Sequence, residues 1–200
     1  MEDKLALIVW VNGQDGKLLC ELLKKEKYKI IWISSDKNYY YWIDSNIKWT
    51  DILDENEVSQ LIAIYKPDEI YYLAAYHHSS QDKLPNDKTL YNNSYNIHVL
   101  WYFNVLNAVN HIWIKPGILY ASSCLIYEWS GEDIQNENTL TKPLSPYSIT
   151  KLEWMHIGDW FSNKYWLNIV NAILYNHESE YRPEKFVSMK IVKSAINISK

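Results

Sequence analysis

The residues Trp10-Val11-Asn12-Gly13-Gln14-Asp15-Gly16 follow directly on the apolar run Leu5–Val9. An apolar strand, a tight glycine turn and a leucine-bearing helix over 17–24 is how a dinucleotide-binding fold opens. In the spacing G-x-x-G-x-x-G, Gly13 and Gly16 take the second and third positions, and Trp10 takes the first. That slot calls for a residue that turns sharply beside a pyrophosphate, and an indole displaces something if it does so. The same seven residues therefore name a function and raise an objection to it.

Outward from this turn, apolar runs alternate with helical segments. Residues 29–34 read as a second strand, 46–52 as a short third and 69–73 as a fourth, the last preceded by a helix over 55–65 and the Lys66-Pro67-Asp68 turn. Leu100, Phe103, Val105, Leu106 and Val109 recur at helical spacing within 97–109. Residues 117–122 and 167–174 read as strands five and six, a long helix over 146–165 begins at a proline, and 185–198 is helix-like. The polar stretch 81–93 is expected to be a flexible loop. Alternation of strands and helices predicts an α/β fold, a Rossmann-like doubly wound parallel sheet with helices on both faces.

Two hundred residues suit one domain with a real core, so 1–200 is expected to form one dinucleotide-binding domain. A net charge of −4 argues against nucleic acid as a partner. No apolar run approaches the roughly 18 residues of a membrane span. Cys20 and Cys124 provide neither a disulfide framework nor metal spacing. The expectation is a cytoplasmic protein with no membrane partner and no metal. One bias stands out: glycine occurs 5 times and tryptophan 10, where about 7% usage would give roughly 14 glycines.

Tyr147 and Lys151 form a Y-x-x-x-K pair, which shares one face of a helix. A neighbouring ammonium favours a phenolate, so the tyrosine is expected to ionise more readily and to take a proton from a sugar hydroxyl. Y-x-x-x-K alone is common on helix surfaces. It gains weight from Ser123 at the end of strand five, the sheet edge where open α/β folds bind ligands. Both serines of the Ser122-Ser123 pair could equally satisfy backbone groups there. The His77-His78 pair lacks spaced partners for a metal, and a position near substrate suits it better.

Four segments carry a resemblance: N-G-Q-D-G at 12–16, Y-Y-L-A-A at 71–75, S-P-Y-S-I-T-K at 145–151 and N-A-I-L-Y-N-H-E-S-E-Y-R at 171–182. The chain resembles the extended short-chain dehydrogenases/reductases, and among them the GDP-mannose 4,6-dehydratase group, over nearly all its length. The resemblance implies catalytic roles for Ser123, Tyr147 and Lys151. It implies cofactor contacts from Gly13, Gln14, Asp15, Gly16, Ser35, Asp36, Asp51, Ile52, Leu73, Ala74, Ala75, His177 and Arg182, besides Tyr147 and Lys151. His77, Asn176, Glu178 and Ser179 would face substrate. A GDP-sugar is the implied substrate and a homodimer or homotetramer the implied assembly, formed through the helices that carry Leu100–Val109 and Tyr147.

The chain departs from that pattern in four ways. Leu125 stands where these enzymes carry the glutamate that removes the sugar C5 proton, and leucine cannot act as a base. An epimerase or reductase of the same superfamily is therefore a second reading. Ser35 and Asp36 replace paired arginines that hold the NADP 2′-phosphate, so NAD suits the chain at least as well as NADP. Family members continue well beyond this length, so 177–200 is expected to enter a sugar-nucleotide lobe that is largely missing. Finally, Trp10, Trp32, Trp101 and Trp166 fall on family glycines. They are either genuine core aromatics or glycines of a gene in which UGA denotes glycine, rendered as tryptophan by a different codon table. If Trp10 is genuine, a dinucleotide-binding module without catalysis becomes a third reading.

Overall fold

Strand β1 (Leu5–Val9) is buried on both faces, because its residues alternate between two apolar clusters. Leu7 and Val9 face a large core, while Ala6 and Ile8 face a smaller one beneath helix α1 (Gln14–Lys25). Four-residue alternation of this kind, apolar on both sides, is the mark of a central parallel strand. The computed structural model describes residues 3–34, 52, 54–79 and 81–199. Strands β2 (Lys29–Ile33), β3 (Glu69–Tyr72), β4 (Gly117–Ser123) and β5 (Asn168–Leu174) complete a sheet of order β2-β1-β3-β4-β5 in which every pair is parallel. The expected third strand over 46–52 lies outside the described residues, apart from Ile52.

The strand order reverses between β1 and β3, so this is a doubly wound, Rossmann-like sheet. A crevice opens at the carboxyl ends of the strands where the order reverses. Helices α2 (Glu55–Tyr65), α4 (Trp101–His111) and α5 (Pro146–Tyr165) cover the large core, which includes Val58, Ile62, Val105, Leu106, Trp154 and Phe161. Local chemistry starts these helices. Asp54 caps α2 by accepting from the Asn56 and Glu57 amides. Ser145 and Ser148 form a reciprocal capping box at α5, with Pro146 in its first turn.

The polar stretch expected as a loop is helical from Asp87. Asn86 accepts from the Thr89 amide at 3.0 Å and begins α3 (Asp87–Tyr95), which continues through a π turn (Asn96–Leu100) into α4. A capping side chain and tertiary packing outweigh the polar composition there. Helix α6 (Val187–Ile198) has no buried residue. Among the described residues no helix is long and apolar enough to cross a membrane.

Candidate active site

A cleft of about 380 Å³ lies at the carboxyl ends of the strands, and β4 delivers its chemistry. Ser123 ends β4 in extended conformation, and its Oγ accepts from the Leu125 amide at 3.2 Å, which starts a short 3₁₀ turn. Tyr147 and Lys151 project from the first two turns of α5 into the same space. The three residues expected to cooperate therefore line one wall.

Lys151 is 1% exposed. Its Nζ donates to the Ala121 carbonyl at 2.7 Å and the Ala74 carbonyl at 3.4 Å, lying 4.6 Å from the centre of the Tyr120 ring. Burial pushes its pKa down to about 7. The Tyr147 phenol is pushed up to about 12, chiefly by burial, with a Ser123 hydrogen bond pulling the other way. The simple expectation of an ammonium that acidifies the tyrosine is thus corrected for the ligand-free cleft: desolvation outweighs the pairing, because the charged forms of both groups lose water.

A histidine that sequence reading missed packs beside this pair. His98, on the π turn, is fully buried. Its Nε2 accepts from the Tyr76 amide at 3.0 Å, so Nδ1 carries the proton and donates to Thr150 Oγ1 at 2.8 Å. Thr150 in turn donates to the Pro146 carbonyl at 2.8 Å. Its ring stands edge-on to Tyr147 at 5.1 Å. Burial, followed by the Lys151 charge, keeps His98 well below the usual histidine range, so it is neutral. The one available signal was a histidine among apolar residues of a helix. π turns occur often at functional sites.

The opposite wall comes from the glycine turn and the segment after β5. Gly13 caps α1, and the first intrahelical bond runs from the Lys17 amide to the Gly13 carbonyl. The amides of residues 14–16 therefore lie in the helix's unpaired first turn, where anions bind. A Cβ on Gly16 would come within 2.6 Å of the Trp10 and Val11 backbone, so only glycine fits. Gln14 Nε2 donates to the His177 carbonyl at 3.2 Å, and Asp15 Oδ1 meets His177 Nε2 at 2.6 Å. His177 Nδ1 bonds the Tyr175 carbonyl, which must accept, and this bond together with Asp15 raises the histidine's pKa.

Of the positions marked by the resemblance, Leu73, Ala75, His77, Asn176 and Arg182 line the cleft. Other expected positions do not. Ala74 is fully buried and offers only its carbonyl, to Lys151. Ile52 belongs to the large core and is 3% exposed, so its side chain does not reach the cleft. Glu178 is turned away, accepting from Ser188 at 2.6 Å and pairing with Arg182 at 3.5 Å. Ser179 organises a tight turn through the Tyr181 and Arg182 amides. Ser35, Asp36 and Asp51 lie outside the described residues. Lys185, Pro183 and Phe186 also line the cleft, and sequence reading had not singled them out.

A second cavity of about 280 Å³ adjoins the first through His77, Leu125 and Tyr147, and adds Leu84, Leu90 and Pro146. Leu125 thus faces a largely apolar space. Asp15 is the one carboxylate lining either cavity among the described residues, and it is committed to His177. His77 stands edge-on to Tyr147 at 5.4 Å, its basicity lowered by burial and then by Arg182 and Lys185. Among the described residues no cluster of His, Cys, Asp or Glu could hold a metal.

A family model described as GDP-mannose 4,6 dehydratase matches residues 7–200. The chain is 32% identical to GDP-mannose 4,6 dehydratase 2 of Caenorhabditis elegans, over 99% of this chain and 55% of the relative. It is 28% identical to GDP-mannose 4,6-dehydratase of Vibrio cholerae serotype O1, over 100% of this chain and 56% of the relative. It therefore spans about half the length of these relatives. Its fold is similar to that of UDP-glucuronic acid 4-epimerase from Bacillus cereus in complex with NAD, with a TM-score of 0.74 at 21% identity, covering 96% of this chain and 64% of the other.

Proposed function

Because the chain belongs to the GDP-mannose 4,6-dehydratase family, we propose that it binds a nicotinamide dinucleotide, NAD or NADP, and oxidises C4 of GDP-mannose or a similar GDP-hexose as the first step of a 4,6-dehydration. The observation that carries this reading is the convergence of Ser123, Tyr147 and Lys151 on a cleft whose far wall is the first turn of α1. The fit to a dinucleotide is good at the unpaired amides of 14–16, and Gly16 lets α1 pack closely on the turn that precedes it. It is poor at Trp10, and Ile52 and Ala74 do not present side chains to the cleft. Gly13, Gln14 and Asp15 would hold the phosphates, and His77 and Asn176 would face the sugar.

Tyr147 would remove the C4 hydroxyl proton while Ser123 donates a hydrogen bond to the same oxygen. Burial holds the phenol protonated near neutral pH, so base action requires positive charge to arrive with the ligands. A bound oxidised nicotinamide supplies that charge and accepts the hydride. Lys151, held between the ends of β3 and β4 by two carbonyls, would complete the proton path. The assembly in this reading is a homodimer or homotetramer through α4 and α5, where Phe103, Ile149 and Trp160 are each at least 36% exposed. Residues 177–200 begin the sugar-nucleotide lobe.

A second reading, C4 epimerisation or reduction, is favoured by Leu125. Eliminating water across C5 and C6 needs a base, and the wall beside Tyr147 presents a leucine and an apolar cavity. Incubation with GDP-mannose and either dinucleotide, followed by NMR of the sugar, separates the readings. A 4-keto-6-deoxy product supports dehydration. A C4-inverted or reduced hexose that keeps its 6-hydroxyl supports the second. Binding without turnover by the intact protein supports a non-catalytic dinucleotide module.

A further inference from the structure

Among the described residues, three tryptophans, together with Lys27 and Lys66, are the non-glycine residues on left-handed backbone. Trp10, Trp113 and Trp166 have φ of 79°, 59° and 57°. In this left-handed region a Cβ crowds the following carbonyl oxygen, so glycine takes such positions, and asparagine does so with the help of local hydrogen bonds. An indole has neither advantage. Of the five glycines in the chain, Gly131 is the one with positive φ.

The surroundings make the mismatch sharper. Trp166 is the left-handed cap of α5, and Trp113 follows the cap residue of α4. Just past a helix end is where glycine is most often found. Their side chains are 83% and 86% exposed, so no burial of the indole offsets the backbone strain. Trp10 is pinned on both sides: its amide donates to the Ile33 carbonyl at 2.8 Å, and its own carbonyl accepts from Gly13 at 3.2 Å. Its indole is pressed toward Gly13, where a Cβ would lie 3.4 Å from Trp10 Cδ1, and toward Trp101 at 5.8 Å between ring centres. The ring packs partly against the large core and partly beside Gly13, in the turn that opens α1. Trp160 is different. It lies within α5, packs edge-on to Phe161 at 4.9 Å and carries Lys164 over its ring at 4.8 Å, as an ordinary helical aromatic does. Trp32 and Trp101, also marked by the family pattern, have strand and helix backbone and give no such signal.

We propose that positions 10, 113 and 166 are glycine in the polypeptide the cell makes, their codon being read as glycine by its own translation system, and that the phosphate-binding turn opens only when position 10 lacks a side chain. The count of ten tryptophans against five glycines is the compositional trace of such a reassignment. Trp113 is the telling position, because its backbone marks it without help from any motif.

The gene and the protein test this separately. The codons at 10, 113 and 166 are expected to be UGA; UGG at any of them overturns the assignment there. In the recombinant chain, Trp113→Gly and Trp166→Gly are each expected to raise Tm by about 2–4 °C, while Trp160→Gly lowers it. A fall in Tm for the first two, matching Trp160→Gly, removes the backbone argument. If the chain with tryptophan does not fold, the same comparison is made by reinstating each tryptophan in the triple-glycine variant. Trp10→Gly is expected to tighten NADH or NADPH binding at least tenfold in a fluorescence titration. This last arm rests on the dinucleotide reading. UGA codons and raised Tm without any dinucleotide binding would sink that reading, and with it the claim about the turn, while leaving the glycine assignments in place.

Discussion

The two ends of the cleft are built on opposite terms. At the Tyr147 end the groups beside the tyrosine are held by hydrogen bonds: Lys151 between two carbonyls, His98 between an amide and a hydroxyl, Ser123 at the start of a turn. At the glycine-turn end the backbone is equally well held, yet one side chain is wrong for it. Trp10 is strained at φ 79° and lies beside the very turn that Gly13 and Gly16 shape. The contrast shows that hydrogen bonding can specify a loop's path while a side chain on that loop is poorly suited to its backbone.

The largest expected effect breaks the Tyr147 end alone. Tyr147→Phe should cut kcat by about 10²–10⁴-fold with Tm unchanged within a degree or two, as measured by turnover and thermal melting; retained activity removes the acid/base role. At the other end, Gly16→Ala should cost about 1–3 kcal/mol in a denaturant titration, because a methyl would sit 2.6 Å from backbone atoms that cannot yield. A neutral outcome would mean the turn is looser than described.

Thr150→Val should cost a similar or smaller amount, about 1–3 kcal/mol, by leaving the His98 Nδ1–H buried without an acceptor. If His98 positions Tyr147, this variant should also lower kcat and shift the pH–rate profile. A purely structural role would lower Tm and leave the profile in place.

Lys151 gives a pH signature. Its folded pKa is depressed to about 7, so between that value and its ordinary value of about 10.4 the unfolded chain binds more protons. Its contribution to stability therefore rises with pH across that window. Melting curves from pH 7 to 10 should show this rise in the parent and lose it in Lys151→Met. The smallest effect belongs to the glycine-turn end. The Asp15–His177 pair is partly exposed and should be worth under about 1 kcal/mol. His177 is raised in pKa, so this contribution is full at low pH and fades as pH rises through the histidine's folded pKa. An NMR titration of Asp15→Asn should find that pKa lowered; no change would show that the Tyr175 carbonyl alone sustains it.

Much of the fold was legible because its signals are local. Leu5–Val9, the helix over 55–65 and the helix over 146–165 match the observed elements residue for residue. Apolar period and capping residues are written in neighbouring positions. Helix α3 was not legible, since a polar segment with one good cap looks like a loop until a neighbour covers it. In the candidate site, spacing at a strand end and on a helix face marked Ser123, Tyr147 and Lys151, which the fold brings into one cleft. Glu178, expected to face substrate, bonds Ser188 and pairs with Arg182 after the turn at Ser179. His98 was missed because its importance lies in partners 22 and 52 residues away.

The amino-acid sequence by itself determined the strand-turn-helix opening, the parallel alternation and the shared helix face of Tyr147 and Lys151, because these follow from periods of two and 3.6 residues and from glycine and proline chemistry. Only the tertiary structure decided that burial lowers the pKa of Lys151 and raises that of Tyr147, that His98 is neutral with its proton on Nδ1, and that among the described residues three tryptophans occupy left-handed backbone. Those outcomes depend on desolvation and on contacts between distant segments, which no local pattern encodes.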